Sequence, residues 1–201
     1  MNIFWLSNDN EESVKFYCDT HVVKIILECG QMLSTALRQN GYNNEGLYKE
    51  THANHPVTKW CSESKDNFLF AYNHMKELDK EYRYRKSIRK NVPFESVTSH
   101  KSWRLFSMIP RKALIDFPDT KSTQPPQCVP NYCKGDDTVV AYRKYYANEK
   151  WPKDWFYYTV RDPPSWLWKY SENHISASPV INRDNPSSKM DLFDVNKSVT
   201  R

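Results

Sequence analysis

The stretch from Glu12 to Gln39 constrains this chain more than any other. Within it Tyr17, His21, Lys24, Glu28, Gln31 and Thr35 recur at spacings of 4, 3, 4, 3 and 4. At about 100° per residue they fall in a helical stripe roughly 80° wide. Nearly every other interior position is apolar or small, including Val22, Val23, Ile25, Ile26, Leu27, Met32 and Leu33. A surface helix ordinarily shows water a much broader polar face. The helix is therefore expected to be wrapped by the rest of the domain, with its polar row lining a groove. Burying His, Lys and Glu costs several kcal/mol unless they pair or meet a ligand. Lys24 and Glu28, four apart, can pair with each other. A narrow solvent face on a well-packed helix is the competing reading. Asp19 lies off the stripe among apolar residues and reads as an anchor for another segment's backbone or for an arginine.

The rest of the pattern is helical too. Asn2 to Leu6 reads as a short strand, and Ser7-Asn8-Asp9 as a cap for the first helix. Asn40-Gly41 stops that helix, and a polar loop runs from Tyr42 to Asn54. Pro56 suits the first turn of a second helix reaching about Tyr84, with Asn54 as its cap. A shorter helix is expected from Glu95 to Met108. Residues 109–135, with Pro110, Pro118, Pro125, Pro126 and Pro130, read as an ordered proline-rich loop. A further helix is expected from Thr138 to Lys150, followed by an irregular aromatic segment to Tyr170. The expectation is a mainly α protein: one helical domain over residues 1–172, then a polar extended arm or flexible tail over 173–201.

Composition excludes more than it selects. With 4 Gly in 201 residues, neither a P-loop nor a dinucleotide fingerprint is present. No apolar run is long enough to cross a bilayer. Five cysteines without CxxC spacing, two of them in an apolar helical pattern, suggest buried thiols in a reducing cytoplasm. A net charge of +5 permits an anionic partner without requiring one. The positive charge is uneven: residues 61–120 carry 12 basic and 8 acidic side chains, against 5 and 7 in residues 1–60. The densest run interleaves Tyr82 and Tyr84 with Arg83, Arg85, Lys86 and Arg89, a pattern of either a solvated helix face or a nucleic-acid contact.

A second constellation is Thr51-His52-Ala53-Asn54-His55-Pro56, which gathers two imidazoles, a hydroxyl and an amide at the mouth of the second helix. Open backbone N–H groups there attract anions, and histidines exchange protons near neutral pH. The same residues also read as a helix cap (His55) and an ordinary loop residue (His52). No metal or other cofactor is predicted. A divalent metal on His21, His52, His55 and Glu28 is the minor alternative, because HxxH alone is a weak signal. His100 and Lys101 are further groove candidates, and Arg143 and Arg161 are the arginines best suited to phosphate.

These blocks resemble a family of small proteins associated with bacteriophage genomes. The resemblance rests on Asn2-Ile3-Phe4, Cys18-Asp19-Thr20-His21-Val22-Val23-Lys24, Ser34-Thr35-Ala36, Thr51-His52 with Asn54-His55-Pro56, His100-Lys101-Ser102, and Ala141-Tyr142-Arg143 with Tyr145-Tyr146. It covers residues 1–168. The family pattern has Lys where this chain has Thr20, and often Asp near Ser7. The resemblance implies expression inside a bacterial host and favours nucleotide or nucleic-acid metabolism, or the countering of host defence. The expected function is thus an enzyme acting on a nucleotide or nucleic acid, by hydrolysis or transfer at a phosphate or glycosidic bond. His21, His52, His55 and Glu28 would carry acid–base chemistry. Tyr17, Lys24, Gln31, Asn54, Trp60, His100, Lys101, Arg143 and Arg161 would bind substrate, and Arg83, Arg85, Lys86 and Arg89 would offer a nucleic-acid face. A non-catalytic nucleotide or nucleic-acid binder is the alternative.

Overall fold

In a computed structural model, residues 2–106, 109 and 117–171 are described, and they contain seven α-helices and no strand. The helices are α1 (Asn10–Lys15), α2 (Asp19–Gln39), α3 (Pro56–Glu63), α4 (Lys65–Lys90), α5 (Lys101–Phe106), α6 (Thr138–Tyr145) and α7 (Trp166–Tyr170). α2 is the central element and packs against α4, α3 and α5, while α6 and α7 form a second group. One apolar cluster runs through both. The expected tail over 173–201, and residues 107, 108 and 110–116 of the expected helix and proline-rich loop, lie outside the described residues.

The first helix is broken where the pattern suggested continuity. α1 ends at Lys15, Cys18 is extended, and α2 starts at Asp19. Tertiary partners take over the backbone groups at the break. The guanidinium of Arg85 donates to the carbonyls of Lys15 (3.1 Å) and Tyr17 (2.8 Å). The Cys18 N–H donates to the Tyr146 hydroxyl (2.9 Å). Satisfying those groups from outside removes the penalty for leaving the helix. The second predicted helix breaks likewise at Ser64, whose extended backbone and hydroxyl cap α4 through the Asn67 N–H (3.1 Å). The expected helix over Glu95 to Met108 is a 3₁₀ turn (Phe94–Ser96) and α5.

The segment Ile3–Leu6 is buried but pairs with no strand among the described residues, so the expected strand is an extended thread instead. Its Phe4 ring lies among His21 (4.7 Å), Tyr146 (5.3 Å), Tyr17 (5.9 Å), Tyr145 (6.1 Å) and Tyr142 (6.2 Å). That ring cluster joins α2 to the α6 group. α6 runs on as a π-turn (Tyr146–Lys150), closed by the Trp151 N–H on the Tyr146 carbonyl (2.9 Å). Close approach also matters at Gly30 of α2. A Cβ there would sit 3.1 Å from the Tyr48 ring and 3.3 Å from the Ser102 Cβ.

Candidate functional site

The structure divides the polar row expected on one helix into three parts. Tyr17 and His21 enter the core, Lys24, Glu28 and Gln31 reach the surface to different extents, and Thr35 is buried as a strut. The Tyr17 hydroxyl bonds to the Phe4 carbonyl (2.7 Å), the Phe4 N–H (2.9 Å) and His74 Nε2 (3.0 Å). His21 Nδ1 bonds to the Tyr146 hydroxyl (2.8 Å), and its ring is enclosed by Phe4 and Trp155. Burial, with some help from Lys150 and Lys24, holds His21 neutral and lowers its pKa to about 3. His21 is a structural imidazole, packed against aromatic rings rather than beside the two loop histidines.

The other half of the expected site does assemble. Thr35 Oγ1 donates toward the Thr51 carbonyl (3.1 Å) and accepts the Thr51 N–H (3.1 Å), which pins the start of the histidine loop to α2. His52 is exposed, has a left-handed backbone (φ 50°), and its Nδ1 bonds to the Thr51 hydroxyl (2.8 Å). His55, rather than Asn54, caps α3: its Nδ1 accepts the Val57 N–H at 3.3 Å. Asn54 is exposed. The cap fixes the tautomer of neutral His55, because the accepting Nδ1 carries no proton and Nε2 must carry it. Burial first, and the neighbouring His52, lower the His55 pKa, while Glu28 opposes them.

His55 and Pro56 line one side of an open groove of about 540 Å³, and Pro126 to Pro130 with Lys134 line the other. Behind it, Glu28 accepts the Asn2 N–H (2.8 Å) and stands 3.6 Å from Lys24 Nζ. Asn2 donates to the Cys128 carbonyl (3.1 Å), and the Tyr142 hydroxyl ties Asn2 (3.1 Å), the Pro126 carbonyl (2.9 Å) and the Cys128 N–H (3.2 Å) into one frame. Gln127 clamps Gly135 in both directions, as acceptor (3.1 Å) and donor (2.6 Å). Burial raises the pKa of the Cys128 thiol, so the thiolate is disfavoured there. Asn2, Cys128 and Lys134 were missed as site residues in sequence, whereas Tyr142 was among the weaker candidates for a phenol group. Asn2 and Tyr142 stand in the spaced motifs, but nothing in a linear pattern shows that the first and sixth helical blocks meet.

The remaining candidates are placed elsewhere. Trp60 is buried, with its indole N–H on the Thr123 carbonyl (3.1 Å). His100 accepts the Ser102 N–H through Nδ1 (3.2 Å), packs edge-on against Tyr82, and has its pKa lowered to about 4, chiefly by burial. Lys101 is exposed. Arg143 donates to the Leu6 carbonyl (2.8 Å) and covers the Trp166 ring. Arg161 grips Glu81 with two bonds of 2.9 Å and covers Tyr84. Both guanidiniums are spent inside the fold.

The expected nucleic-acid face is likewise corrected. Arg85 is fully buried and binds Asp19 (2.7 Å) and Glu81 (2.7 Å). Arg83 donates to the Val97 carbonyl (2.9 Å), Lys86 to the Tyr82 hydroxyl (2.9 Å), and Arg89 lies 3.6 Å from Asp19. One α-helix points these side chains in different directions, and Arg83, Arg85 and Lys86 donate to acceptors within the fold. Asp19 takes the anchoring role expected of it, accepting from Arg85 and from the Thr159 N–H (2.9 Å).

Among the described residues no group of three or more His, Cys, Asp or Glu is placed to hold a metal, and no helix is long and apolar enough to cross a membrane. Comparison with family models, curated proteins and solved structures returns no match.

Proposed function

We propose that the groove at the mouth of α3 takes a nucleotide-type substrate and that the protein is an enzyme for hydrolysis or transfer at its phosphate or glycosidic bond. The observation that supports this is the fixed His55 tautomer, which leaves Nε2–H as the donor that capping does not use. That donor can hold an oxyanion; protonating a leaving group would require the imidazolium, formed when Nδ1 takes a proton in place of its cap bond. Glu28, whose charge favours the imidazolium, would stabilise His55 as charge develops. Lys134 adds positive charge to the lining, suited to phosphate. The resemblance to a bacteriophage-associated family supports the same substrate class by association.

A sequestering, non-catalytic role is favoured by one observation: His21, Arg143 and Arg161 are engaged within the fold and leave the groove few reacting groups. Mass spectrometry of small molecules released from native protein, followed by turnover assays on what is recovered, separates the two. A catalyst with His55→Gln should lose roughly 100-fold or more in turnover while keeping its ligand affinity within a few-fold. Return of an unaltered nucleotide after denaturation, with no turnover in the native protein, would reject catalysis.

A further inference from the structure

A second recess of about 160 Å³ lies on the other side of α3 and the Pro125–Pro126 segment. Three rings form its floor. Trp5 meets Trp60 edge-on at 5.5 Å and stacks on Phe70 at 6.1 Å, and Trp60 meets Phe70 edge-on at 6.0 Å. The rest of the lining is neutral, with Asn8, Ser122, Gln124 and Thr138 offering hydroxyl and amide groups but no charge. The size matters: a cavity of about 150 Å³ accommodates a benzene-sized ring.

Two features distinguish this recess from a packing defect. Its outer wall is held rigidly by Asn67, which is fully buried. The Asn67 Nδ2 donates to the Trp60 carbonyl (2.9 Å) and the Thr123 hydroxyl (3.0 Å), and its Oδ1 accepts the Thr123 N–H (3.0 Å). An amide used this fully fixes the position of the loop. The second feature is the Trp5 indole. The residue is 3% exposed, and its Nε1–H has no hydrogen-bond partner among the described residues. A buried donor left unpaired is destabilising, and the neighbouring Trp60 indole, by contrast, is satisfied.

We propose that this recess binds one neutral, single-ring heteroaromatic group with a carbonyl acceptor, of the pyrimidine-base type, stacked on the aromatic floor and bonded to Trp5 Nε1–H. Aromatic faces accept any flat ring, whereas the unpaired donor and the side-chain amides select one with a polar edge. The absence of charge in the lining favours an uncharged base over a phosphate or a carboxylate. The assignment stands apart from any chemistry in the His55 groove.

Uridine and toluene, titrated separately into the whole protein, test it. Saturable uridine binding should shift the Trp5 indole N–H signal in ¹H–¹⁵N NMR spectra. Trp5→Phe keeps a ring but removes the donor. It should weaken uridine about 10-fold, the equivalent of one hydrogen bond of roughly 1.4 kcal/mol, and leave toluene unchanged. Val139→Phe fills the recess from α6 without touching the floor and should abolish both. Absence of uridine binding at millimolar concentration in the wild type would overturn the proposal. So would a Trp5 signal that stays fixed while uridine binds, or uridine binding that survives Val139→Phe.

Discussion

Two polar regions of the molecule behave in opposite ways. Beneath α4, Asp19, Arg85, Glu81 and Arg161 form a buried chain of ion pairs at 2.7–2.9 Å, each guanidinium also bonded to backbone or stacked on a ring. At the mouth of α3, His55, Cys128 and Lys134 line an open groove, and the nearby Lys24–Glu28 pair is a longer contact of 3.6 Å. The contrast separates charge that holds a fold from charge that can meet a ligand. Buried ions must be fully satisfied by the protein itself, because water cannot do it. Groove residues need only be oriented, and here capping and struts orient them.

The sharpest way to break this division is Arg85→Met. It leaves Asp19 and Glu81 buried with one cation fewer and opens the carbonyls at the end of α1. Urea unfolding should report a loss of about 3–5 kcal/mol. A loss below about 1 kcal/mol would mean that Arg89 and Arg161 suffice.

Acid should dismantle the buried region before it alters the groove's shape. His21 and His74 are held neutral by burial, each with a pKa lowered to about 3 from 6.5. Below pH 6.5 the unfolded chain therefore binds more protons than the folded one, and stability falls as pH falls toward 3. Each histidine contributes a slope of up to about 1.4 kcal/mol per pH unit in that window. Glu81 adds to the loss at lower pH: burial alone would raise its pKa, but Arg161 and Arg85 outweigh it and lower the value. NMR titration of the imidazoles checks the assignment, and a His21 midpoint near 6.5 would contradict it.

The smallest effect is expected at the strut that ties the histidine loop to α2. Thr35→Val removes both bonds to Thr51 and should cost about 1 kcal/mol in the same unfolding assay. It should also loosen any anion held in the groove by a few-fold, while leaving the buried ion pairs intact.

Residue patterns reveal some of this architecture and conceal the rest. A stripe about 80° wide on a helix rich in Ile, Leu and Val correctly implied an element wrapped by its neighbours, and the fold is mainly helical as expected. The break before α2 was hidden because its causes are remote. Arg85 lies 66 positions from Asp19, and Tyr146 lies 128 from Cys18. At the candidate site, Pro56 and the cap pattern draw attention to the loop histidines, and the stripe draws it to Glu28. His21 was misjudged because spacing gives a direction around the helix axis but not what stands opposite, here Phe4 and Tyr146. The basic run near Arg85 misled for the same reason.

The buried thread at Ile3–Leu6 also bears on how the protein is made. Its partners Tyr142, Arg143 and Tyr146 leave the ribosome some 140 residues later. Until they emerge, an Ile-Phe-Trp-Leu segment has only part of its native shelter, from residues such as Tyr17, Trp60 and Phe70, and the core that surrounds it cannot close. Such distant pairing slows assembly and prolongs exposure of sticky surface. A nascent chain of this kind should depend on holding chaperones during translation, and shortening it just before α6 should yield aggregates rather than a smaller folded unit.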